Sequence, residues 1–239
     1  MRVVFAGPTL FGTEFDATGV EMRGPAETGC IERAVAEGAR VIGLVDGHYQ
    51  QVGAVWHKEI LFALADGVAV FGAASMGALR AAECEAFGMV PVGRIARRFC
   101  AGELYDDADV AITNGPAELG FPPLTEALVD VVATLERLTA LGLVGAGEAE
   151  SFIAAARSIF FADRTIDTIC ARSLLPRAAE IASLYTAHRV SQKTLDAIEL
   201  VDAVRAFGTH SGALELGWRL AQSPFWTRRD SRSSSVTAA

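Results

Sequence analysis

Phe71-Gly-Ala-Ala-Ser-Met-Gly-Ala-Leu-Arg-Ala-Ala-Glu83 begins as the end of a short apolar run, turns at small residues around Ser75 and continues into helix-favouring sequence. A Gly/Ala corner between a strand and a helix lets the backbone turn tightly and leaves Ser75 at the tip, with a helix N-terminus directly behind it. The run leading into the corner, Gly67 to Phe71, is one of three. Arg2 to Ala6 ends at Gly7-Pro8-Thr9, and Arg40 to Val45 ends at Asp46-Gly47-His48. Helix-like spacers lie at Cys30 to Glu37, Val55 to Ala65 and Gly77 to Phe87. Such β-α-β-α-β alternation predicts an α/β fold of three layers, a mainly parallel sheet with helices on both faces.

Ligands of open parallel sheets bind at the carboxyl ends of the strands, near the point where strand order reverses. Gly7-Pro8-Thr9, Asp46-Gly47-His48 and Gly72 to Ser75 are therefore expected to converge. A fourth strand is expected at Asp109 to Thr113, adding Asn114-Gly115-Pro116 to the same rim. Gly-Pro-Ala-Glu occurs twice, at Gly24 to Glu27 and Gly115 to Glu118, and reads as two similar helix starts rather than an internal duplication.

From Leu124 onward the periodicity is helical, with Leu128, Val131, Val132, Leu135 and Leu138 on one face. Ser151 to Arg172 and Thr194 to Phe207 read as two further helices. The expected division is a core domain at 1–145, an all-helical C-terminal extension at 146–222 and a disordered tail at 223–239, rich in Ser and Arg.

With 239 residues, 51% of them hydrophobic, the chain is long enough for a sizeable core. A formal net charge of -8 argues against a nucleic-acid surface, because phosphate binding needs clustered Lys and Arg. The four cysteines, Cys30, Cys84, Cys100 and Cys170, stand singly, and no secretory leader precedes the first apolar run. The expected compartment is the cytoplasm. No run approaches the roughly 20 apolar residues that a spanning helix needs, so no membrane role is expected.

Ser75 has two readings. As a nucleophile, its hydroxyl requires a base, and the backbone N–H groups of Met76 and Gly77 would hold an oxyanion. As an N-cap, it would simply satisfy the next helix. His57 is a candidate base, Asp46 a group to orient it, and Lys58 a direct activator in a Ser-Lys arrangement. His57, Lys58 and Glu59 fall in the first turns of an otherwise apolar helix. A lysine there opposes the helix dipole, which points to a reason other than stability. His48 is a second candidate base, or a solvated turn residue. Arg80 and Glu83 read either as partners for charged groups of a substrate or as a surface pair.

Metal ligation is not expected, because His48 and His57 lie across a loop with no cysteine at ligand spacing. Cys84 reads as a packed, inert thiol. Gly7-Pro8-Thr9 is not a dinucleotide loop, and no cofactor is expected.

Val4-Phe-Ala-Gly-Pro-Thr-Leu10, Val45-Asp-Gly-His-Tyr-Gln-Gln-Val52, Ala54-Val-Trp-His-Lys-Glu-Ile-Leu61 and the Ser75 corner, in this order and spacing, resemble the TfuA family. The likeness covers about Met1 to Val144, and Cys30 departs from it where an acidic residue is expected. The resemblance implies a partner of YcaO enzymes, which use ATP to turn a peptide backbone amide into a thioamide in ribosomally made natural products. It further implies delivery of sulfur by hydrolysing the C-terminal thiocarboxylate of a ThiS-like carrier protein. Catalytic roles would then fall to Ser75, His57, Lys58 and Asp46. Substrate contacts would fall to Gly7, Pro8, Thr9, His48, Glu59, Met76, Gly77 and Arg80. A non-catalytic adaptor that activates YcaO, and a binder of small anions or nucleotides, are the alternatives.

Overall fold

The computed structural model describes residues 1–47, 53–208 and 217–221. Five strands form one parallel sheet: β1 (Arg2–Phe5), β2 (Glu21–Arg23), β3 (Val41–Leu44), β4 (Ala69–Gly72) and β5 (Val90–Pro91). Their spatial order is β2-β1-β3-β4-β5, so the order reverses at β1, beside β3. The three apolar runs are the three central strands. In β3 and β4 every residue is buried, as expected for strands covered on both faces.

The edge strands escaped the sequence pattern because they are short. β2 carries only three residues, with two charged ends, and β5 is a two-residue pairing against Phe71 and Gly72. The strand expected at Asp109 to Thr113 does not form. Asp107–Asp109 is a 3-10 turn begun by the Asp106 carboxylate, which accepts the Ala108 N–H. The chain then runs into an irregular loop closed by the Asn114 to Pro123 bridge. Hydrophobic Val110, Ala111 and Ile112 look strand-like in sequence because they are wedged under other elements, not because they pair with a strand.

Helices α1 (Cys30–Ala36), α2 (His57–Ala65) and α3 (Met76–Cys84) follow β2, β3 and β4. One sheet face packs Val3, Phe5, Ile42, Leu44 and Val70 against Ile31, Ile60 and Leu64 of these helices. The other face, with Val4, Val41 and Phe71, is covered by Leu200, Val201 and Val204 of α9 (Gln192–Ala206). Gly43 of β3 permits that contact, since a Cβ there would stand 2.6 Å from Leu200 Cδ2 and 2.9 Å from Val4 Cγ2. The last described helix thus returns to the sheet made by the first part of the chain.

Between α3 and α9 in the chain come α4 (Gly93–Cys100), α5 (Leu128–Ala140), α6 (Ala146–Arg157), α7 (Ile166–Ser173) and α8 (Ala178–Ala187). The helix expected over Ser151 to Arg172 is two helices. The chain breaks near Ser158 to Arg164, where the buried Arg164 guanidinium donates to the carbonyls of Ala156, Ile159 and Ala108. α5 to α8 bury Leu135, Leu138, Phe152, Ile169, Ile181 and Tyr185 in a core of their own. Neither Gly-Pro-Ala-Glu segment starts an α-helix. Ala26 bridges to Gly47 ahead of α1, and Pro116 precedes a 3-10 turn at Ala117–Leu119.

Among the described residues no helix is long and apolar enough to cross a membrane. The tail expected to be disordered lies outside the described residues.

Candidate functional site

Asp46 follows β3 and is 1% exposed. Its Oδ2 accepts the N–H groups of Gly7 (2.8 Å) and Thr9 (3.0 Å), and its Oδ1 accepts the Thr9 hydroxyl (2.6 Å). Pro8 has no N–H to offer, so its two neighbours supply both backbone donors. One carboxylate therefore holds the whole turn after β1. Gly7 is required there, because a Cβ would lie 2.5 Å from the Pro25 ring. From the far side, Thr194 of α9 donates its hydroxyl to the Thr9 carbonyl at 2.8 Å.

The corner after β4 is equally tight. Ala74 takes a left-handed conformation, with φ 64, and the Ser75 N–H turns back to the Ala73 carbonyl at 2.8 Å. An alanine held at positive φ carries strain of order 1 kcal/mol or more, the kind of strain often found at functional turns. Gly77, the second residue of α3, lies flat against the end of β3. Its N–H donates to the Val45 carbonyl at 3.0 Å, and a Cβ would meet the Leu44 oxygen at 1.8 Å. The Gly77 N–H is thus committed and is not an oxyanion donor. The Met76 N–H has no acceptor among the described residues.

Ser75 occupies the N-cap position of α3 but makes no capping bond from its side chain. Among the described residues its hydroxyl has no hydrogen-bond partner. It lines a cavity of about 180 Å³ together with Met76, Arg80, Pro8, Asp46 and Asn114. Arg80, on the same helix, has a side chain only 15% exposed. Its Nε donates to the Val55 carbonyl at 3.0 Å, and its Nη1 pairs with Glu83. The cavity thus joins a hydroxyl with no partner among the described residues, a helix N-terminus and a guanidinium, a set suited to an anionic group with an electrophilic carbon; Asp46 and Asp107 also stand in its wall, the first already taken by Gly7 and Thr9.

The other expected residues are placed differently. His57 is about half exposed, and its Nε2 meets the Glu83 carboxylate at 2.8 Å. It does not line the cavity, and Asp46 does not orient it, because the Asp46 carboxylate is occupied by Gly7 and Thr9. Lys58 does not line the cavity either; its Nζ donates to the Ala221 carbonyl at 3.2 Å. Glu59 is buried and serves two helix starts at once, accepting the Gly29 N–H (2.8 Å) ahead of α1 and the Trp56 N–H (3.3 Å) ahead of α2. Burial raises its pKa above the ordinary 4.5, against those two backbone bonds. His48 lies outside the described residues.

Three buried charges at the back of the site were not legible in sequence. Lys193, 3% exposed at the start of α9, donates its ammonium to the Val110 carbonyl at 2.8 Å, which fixes the loop forming one cavity wall. Burial lowers its pKa, opposed by the nearby Asp46 and Asp130 carboxylates. Asp130 accepts the Lys193 N–H and the Ser191 hydroxyl. Asp196 accepts the Ile95 N–H at 2.7 Å, capping α4 from another helix. The one sequence signal is that Lys193 and Asp196 sit on the face of α9 that also carries Ala197, Leu200 and Val204.

Cys84 is buried between Arg80 and the sheet, and burial pushes its thiol up to about 11, which keeps it a thiol rather than a thiolate. Among the described residues no group of three or more His, Cys, Asp or Glu side chains is placed to hold a metal ion.

The family model described as TfuA-like protein matches residues 46–165, half of the chain. This protein is a member of the TfuA-like family. The matched segment begins at Asp46 and ends just past Arg164, so it contains the Ser75 corner, the cavity loop and the break between α6 and α7. No curated protein matches the TfuA-like chain.

Proposed function

We propose that this TfuA-like protein releases sulfide from the C-terminal thiocarboxylate of a small ThiS-like sulfur carrier, for use by a YcaO enzyme in backbone thioamidation. Partnership with YcaO enzymes is a general attribute of the family. The observation that carries the reading is the Ser75 hydroxyl, uncapped and lining a cavity that Met76 and Arg80 also line, along with Asp46, Asp107 and Asn114.

In this mechanism the thiocarboxylate enters beside Arg80 and Ser75 Oγ attacks its carbon. The carbon–sulfur bond breaks, the serine proton leaves with the sulfur as hydrosulfide, and the carrier remains as an ester on Ser75. Water then attacks the ester: one of its protons restores the Ser75 hydroxyl, the other passes to solvent, and the carrier leaves as a carboxylate. Because the serine proton departs on sulfur, the first step leaves no proton that a separate base must keep. That suits a site whose cavity lacks His57 and Lys58. The Met76 N–H and the α3 dipole stabilise the developing oxyanion, and removing one such donor typically lowers a rate by about 10²–10³.

The test is sulfide release from thiocarboxylated carrier by purified protein without YcaO. Ser75→Ala is expected to lower the rate by at least about a thousandfold. Full activity in Ser75→Ala would discard the nucleophile.

The adaptor reading has one observation in its favour. Leu119, on the loop closed by Asn114 and Pro123, and Leu124, directly after it, are 65% and 58% exposed, as a docking surface would be. An adaptor releases no sulfide from the carrier alone, and it raises YcaO turnover even as Ser75→Ala.

A further inference from the structure

His57 stands outside the cavity, yet it is joined to it. Arg80 forms part of the cavity wall, with its side chain 15% exposed; Glu83, one helical turn on, is 35% exposed; His57, on the neighbouring helix, is 49% exposed. One oxygen, Glu83 Oε2, receives both cations or donors: Arg80 Nη1 from the inside and His57 Nε2, at 2.8 Å, from the outside. The remaining fixed point is the Val55 carbonyl, which takes Arg80 Nε at 3.0 Å.

A guanidinium held at both Nε and Nη1 has its plane set, whereas one held at Nε alone swings about its last torsions. A Glu83 about a third exposed and without a second partner has rotamer freedom of its own.

We infer that His57 is a positioning residue: it pins Glu83, Glu83 pins the Arg80 fork, and the fork presents its remaining N–H groups to an anionic group in the cavity. Three residues on two helices thereby set the direction of one cavity donor. The shape of the chain accounts for a histidine at the first turn of α2 that neither lines the cavity nor meets Asp46. It also separates two roles that the residue types alone leave merged, a base that takes a proton and a donor that holds a carboxylate. The inference deepens the proposed function by naming how the carrier's anionic end is oriented, and it rests on that reading for its consequence in turnover.

Two measurements test it. The first uses the free protein and no substrate: solvent exchange of the Arg80 Nε–H, followed by nitrogen-15 NMR with assignment by Arg80→Lys. Exchange is expected to speed several-fold in His57→Ala and Glu83→Ala and to return toward the wild-type rate in His57→Gln, whose amide still donates to Glu83. Unchanged exchange in His57→Ala overturns the inference, whatever the protein's reaction proves to be.

The second is a double-mutant cycle on sulfide release. His57→Ala is expected to lower kcat/KM about tenfold in the wild-type background and to have no further effect in Arg80→Ala. His57→Gln is expected to restore most of the loss. A His57→Ala loss that persists undiminished in Arg80→Ala, with no rescue by His57→Gln, identifies His57 as a proton-transfer group and overturns positioning. If wild type releases no sulfide, the proposed function fails while the exchange measurement still decides the inference.

Discussion

α2 and α3 start at the same edge of the sheet, after neighbouring strands, and both begin with residues of chemical promise. Only α3 begins at a cavity. The difference lies in how each start is satisfied. The first turn of α2 is closed by its own Glu59, whose carboxylate also ties down the approach to α1, so His57 and Lys58 are left outside that closure and find Glu83 and Ala221. The start of α3 has no such cap. It is held instead by Gly77 against the end of β3, and its serine hydroxyl and the Met76 N–H remain available. A helix N-terminus is a binding site when its donors are left over, and a structural joint when a side chain takes them.

The contrast breaks most severely at Asp46. Asp46→Ala orphans the N–H groups of Gly7 and Thr9 and the buried Thr9 hydroxyl, and should cost about 4 kcal/mol of unfolding free energy, read by denaturant titration, while loosening the cavity wall at Pro8. A cost below about 1 kcal/mol would mean that the turn holds itself.

Gly77→Ala attacks the seat of α3 directly. With its Cβ 1.8 Å from the Leu44 oxygen, the helix must lift off β3, which should cost about 3 kcal/mol. The equivalent first-turn substitution in α2, Lys58→Ala, should leave stability within about 0.5 kcal/mol, because Lys58 makes one exposed contact.

Glu59→Gln tests the closed start. One of two accepted N–H groups loses its partner, for an expected cost of about 1.5 kcal/mol. The dependence on pH has a definite sign. Burial raises the Glu59 pKa in the folded state, so the native protein holds this proton to higher pH than the unfolded chain does. The linked stability is fully present below the ordinary value of 4.5 and is lost as pH rises through the raised one. The advantage of wild type over Glu59→Gln should therefore be widest near the acid end and narrow as pH rises past that window. An advantage that grows with pH would contradict the burial.

Ser75→Ala should be the mildest in stability. A serine that caps a helix contributes about 1 kcal/mol, but Ser75 makes no capping bond, so the change should stay within about 0.5 kcal/mol. A loss of about 1 kcal/mol or more would return Ser75 to the role of a cap.

Composition and periodicity were enough for the sheet interior. Continuous apolar runs in β1, β3 and β4, separated by helical spacers, are what strands buried on both faces require, and Gly/Ala spacing alone placed the corner at Ser75. The edge strands were illegible because two or three residues carry no period. The run Val110 to Ile112 misled because burial under α4 and α5 leaves the same apolar signature as burial in a sheet.

What tertiary structure decided was the direction of side chains and the partners of charges. Sequence proximity put His57, Lys58 and Asp46 within reach of Ser75. The fold spends Asp46 on the turn after β1, leaves Lys58 and His57 out of the cavity lining, and brings Lys193 from the last described helix to hold the cavity loop. The physical reason is that strand order and hydrophobic faces follow from local pattern, whereas a buried carboxylate or ammonium settles on whichever donor or acceptor the packed layers leave unsatisfied. That choice exists only once the chain has closed upon itself.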